Sequence, residues 1–221
     1  MNPILALIAM VVVAGAVVAV STSDPRGTIL GLAVVLIASP VIADPVPTPL
    51  GLAARIVGAV LSAYLLWIVT RDRPRHGSAG ATTEGSRIGW PAEVLVGIGA
   101  FVVGYAAHGL GAAALGPPMA SAAGFAVAAL ALTATMTGQD ILRVGLGCLL
   151  LVDAGLIVRA ALGGTPGDFE HLITSATLVV IAGTIATLAA GARDDGTGGF
   201  GFSLERARRH REPDAHPIET R

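Results

Sequence analysis

Lysine is absent from the 221 residues, cysteine occurs once, and charged residues make up only 13% of the chain. Each scarcity removes a class of explanation. An ordinary soluble domain is about one quarter charged, so a chain that is 53% hydrophobic, with a mean hydropathy of +0.75, does not fit that class. The bilayer is its expected solvent. A single cysteine, Cys148, can form neither an intramolecular disulfide nor a cysteine-cluster metal site, and inside an apolar run it reads as a packing residue. Without lysine, all 14 basic residues are Arg, which alongside the wealth of Ala, Gly and Val is compositional bias rather than a functional mark. Short catalytic motifs are missing too: there is no GxxxxGK[ST], no HExxH, no GxSxG and no Cys/His metal spacing. No loop has the length of an extramembrane catalytic domain. Independent enzymatic chemistry is therefore not expected, and neither a cofactor nor a metal is implied.

What the chain does have is a succession of apolar segments of the roughly 20 residues that a helix needs to cross a hydrocarbon core. Punctuation by Gly, Pro and charge divides them into seven, at about Pro3–Val20, Thr28–Ala43, Leu50–Thr70, Ala92–Leu110, Pro118–Met136, Asp140–Leu162 and Leu172–Ala192. The expected fold is all-α, a polytopic transmembrane helix bundle, because unpaired backbone groups are not tolerated in lipid. The first segment resembles a secretory signal in hydropathy but lacks a basic n-region, so it reads as the first span. Pro40 should kink the second.

The net charge of -1 conceals an uneven layout of arginine. Basic residues near span ends are retained on the cytoplasmic face. Arg71, Arg73, Arg75 and Arg87 lie between spans three and four, and Arg193, Arg206, Arg208, Arg209 and Arg211 follow span seven. Alternation then places Arg26 and Arg143 inside as well, while the loops Asp44–Pro49, Gly111–Pro117 and Gly163–His171 carry no Arg. This predicts an N-terminus outside, a C-terminus inside and a multi-pass protein of the cell (inner or plasma) membrane. It also divides the chain into a three-span part (1–70), a Gly/Ser/Thr-rich cytoplasmic linker (71–91), a four-span part (92–192) and a polar, disordered tail (193–221). The tail's basic cluster suits anionic lipid or topology rather than nucleic acid.

Ionisable groups inside spans are costly and mark candidate sites. Asp153, near the middle of span six, is too deep for a short carboxylate to reach either interface, so it should lie between helices, protonated or paired. Two readings remain open for it: a proton carrier, or a structural Asp bonded to a neighbouring helix. Arg143 is ten residues earlier, about 15 Å along the helix, and reads as a topological anchor or the mouth of a proton path, with Thr137 as the N-cap. Arg55 and Arg159 should snorkel to the outer headgroups, Glu93 should be interfacial, and His108 is a third proton-path candidate. Gly97, Gly104 and Gly111, with Ala100 and Ala107 between them, make one stripe of span four smooth enough for close helix packing.

From Pro118 onward the chain resembles the three-helix family that includes chain K of respiratory complex I and the C-type subunits of multisubunit Na+/H+ antiporters. The residues that carry this are Gln139-Asp140-Ile141-Leu142-Arg143-Val144-Gly145-Leu146-Gly147, then Asp153-Ala154-Gly155-Leu156, an acidic outer loop Asp168-Phe169-Glu170, and the helix His171-Leu172-Ile173-Thr174-Ser175-Ala176-Thr177 leading into Val and Ile. With its extra spans in front, the whole is similar to hydrogenase-4 membrane component E. One departure is plain: the family's helix carboxylate, two residues after the glycine, is Leu149 here, and the final helix has no Glu. Asp153, one turn further, either substitutes for it or is unrelated. The resemblance implies a non-catalytic subunit of a proton- or Na+-translocating redox or antiporter-type complex, with larger antiporter-like membrane subunits as partners. The alternative is a stand-alone transporter or structural membrane protein.

Overall fold

The structure is a computed structural model that describes residues 2–22, 24–43, 45–71, 89–110, 114–138 and 141–194. Seven α-helices are found among them: α1 (Pro3–Ser21), α2 (Pro25–Ala38), α3 (Pro49–Arg71), α4 (Trp90–Ala106), α5 (Pro118–Thr137), α6 (Ile141–Gly163) and α7 (Asp168–Asp194). Their starts follow local chemistry. Proline stands at the first or second position of α1 to α5, where its fixed φ suits a helix and its missing N–H leaves no bond unmade. Asn2 and Asp24 cap α1 and α2 by accepting from the N–H groups of Ile4 (3.1 Å) and Arg26 (3.3 Å).

Four of the sequence expectations change at helix ends. Asp168-Phe169-Glu170 is the first turn of α7 rather than an outer loop, because Glu170 reaches back to the Gly167 N–H (3.1 Å) and the acidic pair suits the positive helix end. Thr137 closes α5, its hydroxyl bonded to the Thr133 carbonyl (2.6 Å), and so does not cap α6. Span four is shorter than expected, since α4 stops at Ala106 and the chain turns through Gly109 at φ +79°. Around Pro40 the helix does not simply kink but tightens into a 3-10 turn, Ser39–Ile42, at the end of α2. The expectations placed on Gly111, Gln139, Asp140, most of the linker (72–88, with Arg73, Arg75 and Arg87) and the tail from 195 lie outside the described residues.

Successive packing contacts close a ring in the order α1, α2, α3, α7, α6, α5, and α4 lies against the outside of α5. The two parts read from the sequence are thus two arcs, joined at the seams α3–α7 and α1–α5. Close approach between neighbouring helices, at these seams and within each arc, needs small residues. A Cβ added to Gly31 of α2 would stand 2.6 Å from the Ala19 backbone of α1, and one on Gly104 of α4 would stand 2.8 Å from the Ser121 carbonyl of α5. The glycine stripe of span four accordingly faces α5 at Gly97 and Gly104.

Alternating helix directions gather the chain turns at two ends. One end holds the α6–α7 loop with Pro166; the other holds the start of α6 with Arg143. Leu32, Leu36, Leu130, Leu149 and Leu150 fill the interior, whereas Leu7, Val57, Val102 and Val180 point outward, each more than half exposed. Outward apolar faces on this scale are lipid-facing in character. Six helical segments, α4 excepted, are long and apolar enough to cross a membrane, with the 3-10 turn completing the second (Pro25–Ile42). The architecture is that of a multi-pass membrane helix bundle.

Candidate functional site

Asp153 is fully buried in α6, as its depth in the sequence required. Its Oδ1 accepts from Arg55 Nη2 of α3 and from Ser39 Oγ (3.0 Å) at the 3-10 turn. The Ser39 hydroxyl accepts in turn from Arg55 Nη2 (3.2 Å). Three helices thereby meet at a closed triangle of polar groups, and none of its side chains is more than 3% exposed. The 3-10 turn matters here: tightening the backbone at Ser39 and Pro40 ends α2 at the level of Asp153 and presents a hydroxyl where the helix loses a donor.

Arg55 corrects the sequence reading. It does not snorkel to a headgroup but is 1% exposed and turned inward onto Asp153. The reason is register. Arg55 is six residues from the start of α3, about 9 Å deep, and Asp153 is ten residues from the end of α6, about 15 Å deep from the same end. The long side chain spans the difference inward, where a carboxylate and a hydroxyl satisfy it. A buried pair avoids the cost of a lone charge in hydrocarbon. Three polar atoms of this pair, Arg55 Nε and Nη1 and Asp153 Oδ2, have no hydrogen-bond partner among the described residues.

No protein-family model, curated protein or solved structure matches the chain. The site is therefore read from its own chemistry.

At the Arg143 end a second ionic contact ties three helices. Arg143 Nη2 donates to the Val20 carbonyl of α1 (2.8 Å) and to Glu93 Oε1 of α4 (3.3 Å). Glu93 is 1% exposed, so it is a buried partner rather than the interfacial residue expected. Position explains the change, since Glu93 in the first turn of α4 faces α1 and α6 instead of the headgroups. Between the two ionic contacts α6 buries Leu146, Leu149 and Leu150. Arg143 and Asp153 thus occupy separate layers. His108 lies in the turn after α4, a helix that packs chiefly on α5, and no described hydrogen bond or ion pair joins it to either of them. Arg159 does stay at the surface, pairing with Glu170 (3.3 Å) where both are nearly half exposed.

Sequence reasoning passed over Ser39, Glu93 as a partner, and His171. His171, in the first turns of α7, is 1% exposed and neither ring nitrogen has a hydrogen-bond partner among the described residues. Its ring lies against Gly51 of α3, one turn before Arg55; a Cβ there would be 2.9 Å from His171 Cδ2. A signal for the cluster was available: opposite charges inside two different spans invite pairing.

Proposed function

We propose that this chain is a non-catalytic integral subunit of a proton- or Na+-translocating complex of the redox or antiporter type, seated in the cell membrane by seven spans with the N-terminus outside. The observation that carries this reading is the Asp153–Arg55–Ser39 triangle, buried at bilayer depth where three helices meet. Ionisable residues inside spans mark proton and cation paths, and a carboxylate held by an arginine is a group of that type. Asp153 would carry the proton or respond to the ion, Arg55 would hold its charge, and Arg143 would sit at the cytoplasmic mouth. The resemblance to the family of complex I chain K and the small antiporter subunits supports the same reading, with larger antiporter-like subunits as partners. At 17 residues α4 is at the lower limit for a span. Support for the orientation comes from Arg26, Arg71 and Arg143, which share one end, and from Trp67, whose ring lies 5.2 Å beneath the Arg71 guanidinium there.

The decisive experiment purifies the chain with its native partners and compares ion translocation by wild-type and Asp153→Asn complexes in liposomes. Loss of translocation in an intact complex supports the role; a normal rate removes it. One observation favours a second reading, a structural or stand-alone membrane protein: the pair neutralises itself, as a purely structural pair would. Recovery of the chain without antiporter-like partners would favour that alternative.

A further inference from the structure

Just beyond the Asp153 triangle, towards the Pro166 end, lies a cavity of about 10 Å³. That is room for about one water molecule. Its apolar walls include Pro40, Ile157 and Ala160, and its polar groups are Ser39 and His171. Ser39 is also a corner of the triangle, so the cavity and the ion pair share a wall. His171 is the more telling of the two. A side chain so deeply buried with both ring nitrogens unpartnered is costly, because native structures satisfy nearly all such groups with protein or water. Asp153 Oδ2 and Arg55 Nη1, in the adjoining triangle rather than on the cavity wall, also lack partners among the described residues. Two unpartnered ring nitrogens on a residue that lines a water-sized space point to a hydrated site.

We propose that this cavity binds a single water or hydrated proton between Ser39 and His171, and that it connects the Asp153–Arg55 pair to the Pro166 end only. Imidazole suits the position: one ring nitrogen donates while the other accepts, so a proton taken up at one and released from the other leaves the ring neutral. The charged groups around it are Arg55 from α3, Asp168 and Glu170 from α7, and Asp153 from α6 across Ser39. Towards the Arg143 end the path closes, since Leu146, Leu149 and Leu150 of α6 and Leu36 of α2 are each no more than 2% exposed. The buried polar groups in that half are Ser62, whose hydroxyl also lacks a partner among the described residues, and Thr28 and Glu93 nearer the end. Leucine side chains separate them from the cavity. That the site serves ion movement rests on the function proposed above, but its hydration does not.

Deuterium exchange at the C2 carbon of histidine, read by mass spectrometry on the full chain in lipid nanodiscs, tests the hydration. Wild-type His171 should exchange within about tenfold of a free histidine peptide, and Ala160→Val, which narrows the cavity, should slow it by about tenfold or more. Leu150→Ala, on the closed side, should leave it unchanged. Exchange about a hundredfold slower than the free peptide in the wild type would overturn the proposal, as would fast exchange that Ala160→Val does not slow or Leu150→Ala accelerates. Because the assay needs neither partner nor transport, a normal rate in Asp153→Asn complexes would remove the proposed function and leave this result standing.

Discussion

Removing one member of the Arg55–Asp153 pair should destabilise the bundle far more than removing both. Asp153 is fully buried and Arg55 is 1% exposed, so Asp153→Leu leaves a guanidinium with only Ser39 Oγ as its partner. Arginine cannot shed its proton, and stranding a buried charge costs about 3–5 kcal/mol. Arg55→Met should be milder. The carboxyl it strands can take up a proton, which at pH 7 costs no more than about 4 kcal/mol and less in acid, at about 1.4 kcal/mol per pH unit. The double variant, Arg55→Met with Asp153→Leu, replaces the pair by apolar groups and should recover most of the loss. Unfolding in mixed micelles, run as a double-mutant cycle at pH 5 and pH 7, measures the coupling. A coupling energy of at least about 2 kcal/mol is expected, with Arg55→Met gaining on Asp153→Leu as the pH falls. Two small and additive single effects would refute the pairing.

Other consequences follow at the seams and ends. Gly104→Val should weaken the α4–α5 contact by about 1–3 kcal/mol, because its Cβ would meet Phe125 and the Ser121 carbonyl below 3 Å, whereas Gly99→Val, which meets nothing within 4 Å, should not; thermal stability in detergent separates them. Glu93→Ala should cost about 1–3 kcal/mol and raise proteolysis of α4, given that Glu93 is buried while Arg143 retains some exposure. If this variant matches wild type, the contact is not a tie between α1, α4 and α6. The Arg159–Glu170 pair is nearly half exposed, so Glu170→Ala should cost less than about 1 kcal/mol through that pair in the same unfolding assay. Cysteine tags at Arg71 and at Trp90 should label from one side of sealed vesicles, opposite to a tag at Thr165.

Much of this architecture was legible in the chain itself. Helix starts at Pro3, Pro49 and Pro118 agree with the apolar segments to within a residue, because proline and polar caps act locally. Asp153 stood out as buried because a short carboxylate that deep in an apolar run has no route to water. Less legible was anything that depends on the rotation of one helix against another. Arg55 and Glu93 could equally have faced headgroups, and only the contacts of α3 with α2 and α7, and of α4 with α5, turn them inward.

Apolar length and the positions of charge and proline thus determined an all-helical membrane bundle and singled out Asp153. Which groups meet Asp153 was decided by the packed structure alone. A helix fixes its own spacing through backbone hydrogen bonds along the chain, but Asp153, Arg55, Ser39 and His171 reach one locus through the depth and rotation of four separate helices. Those are set by side-chain contacts between segments distant in sequence.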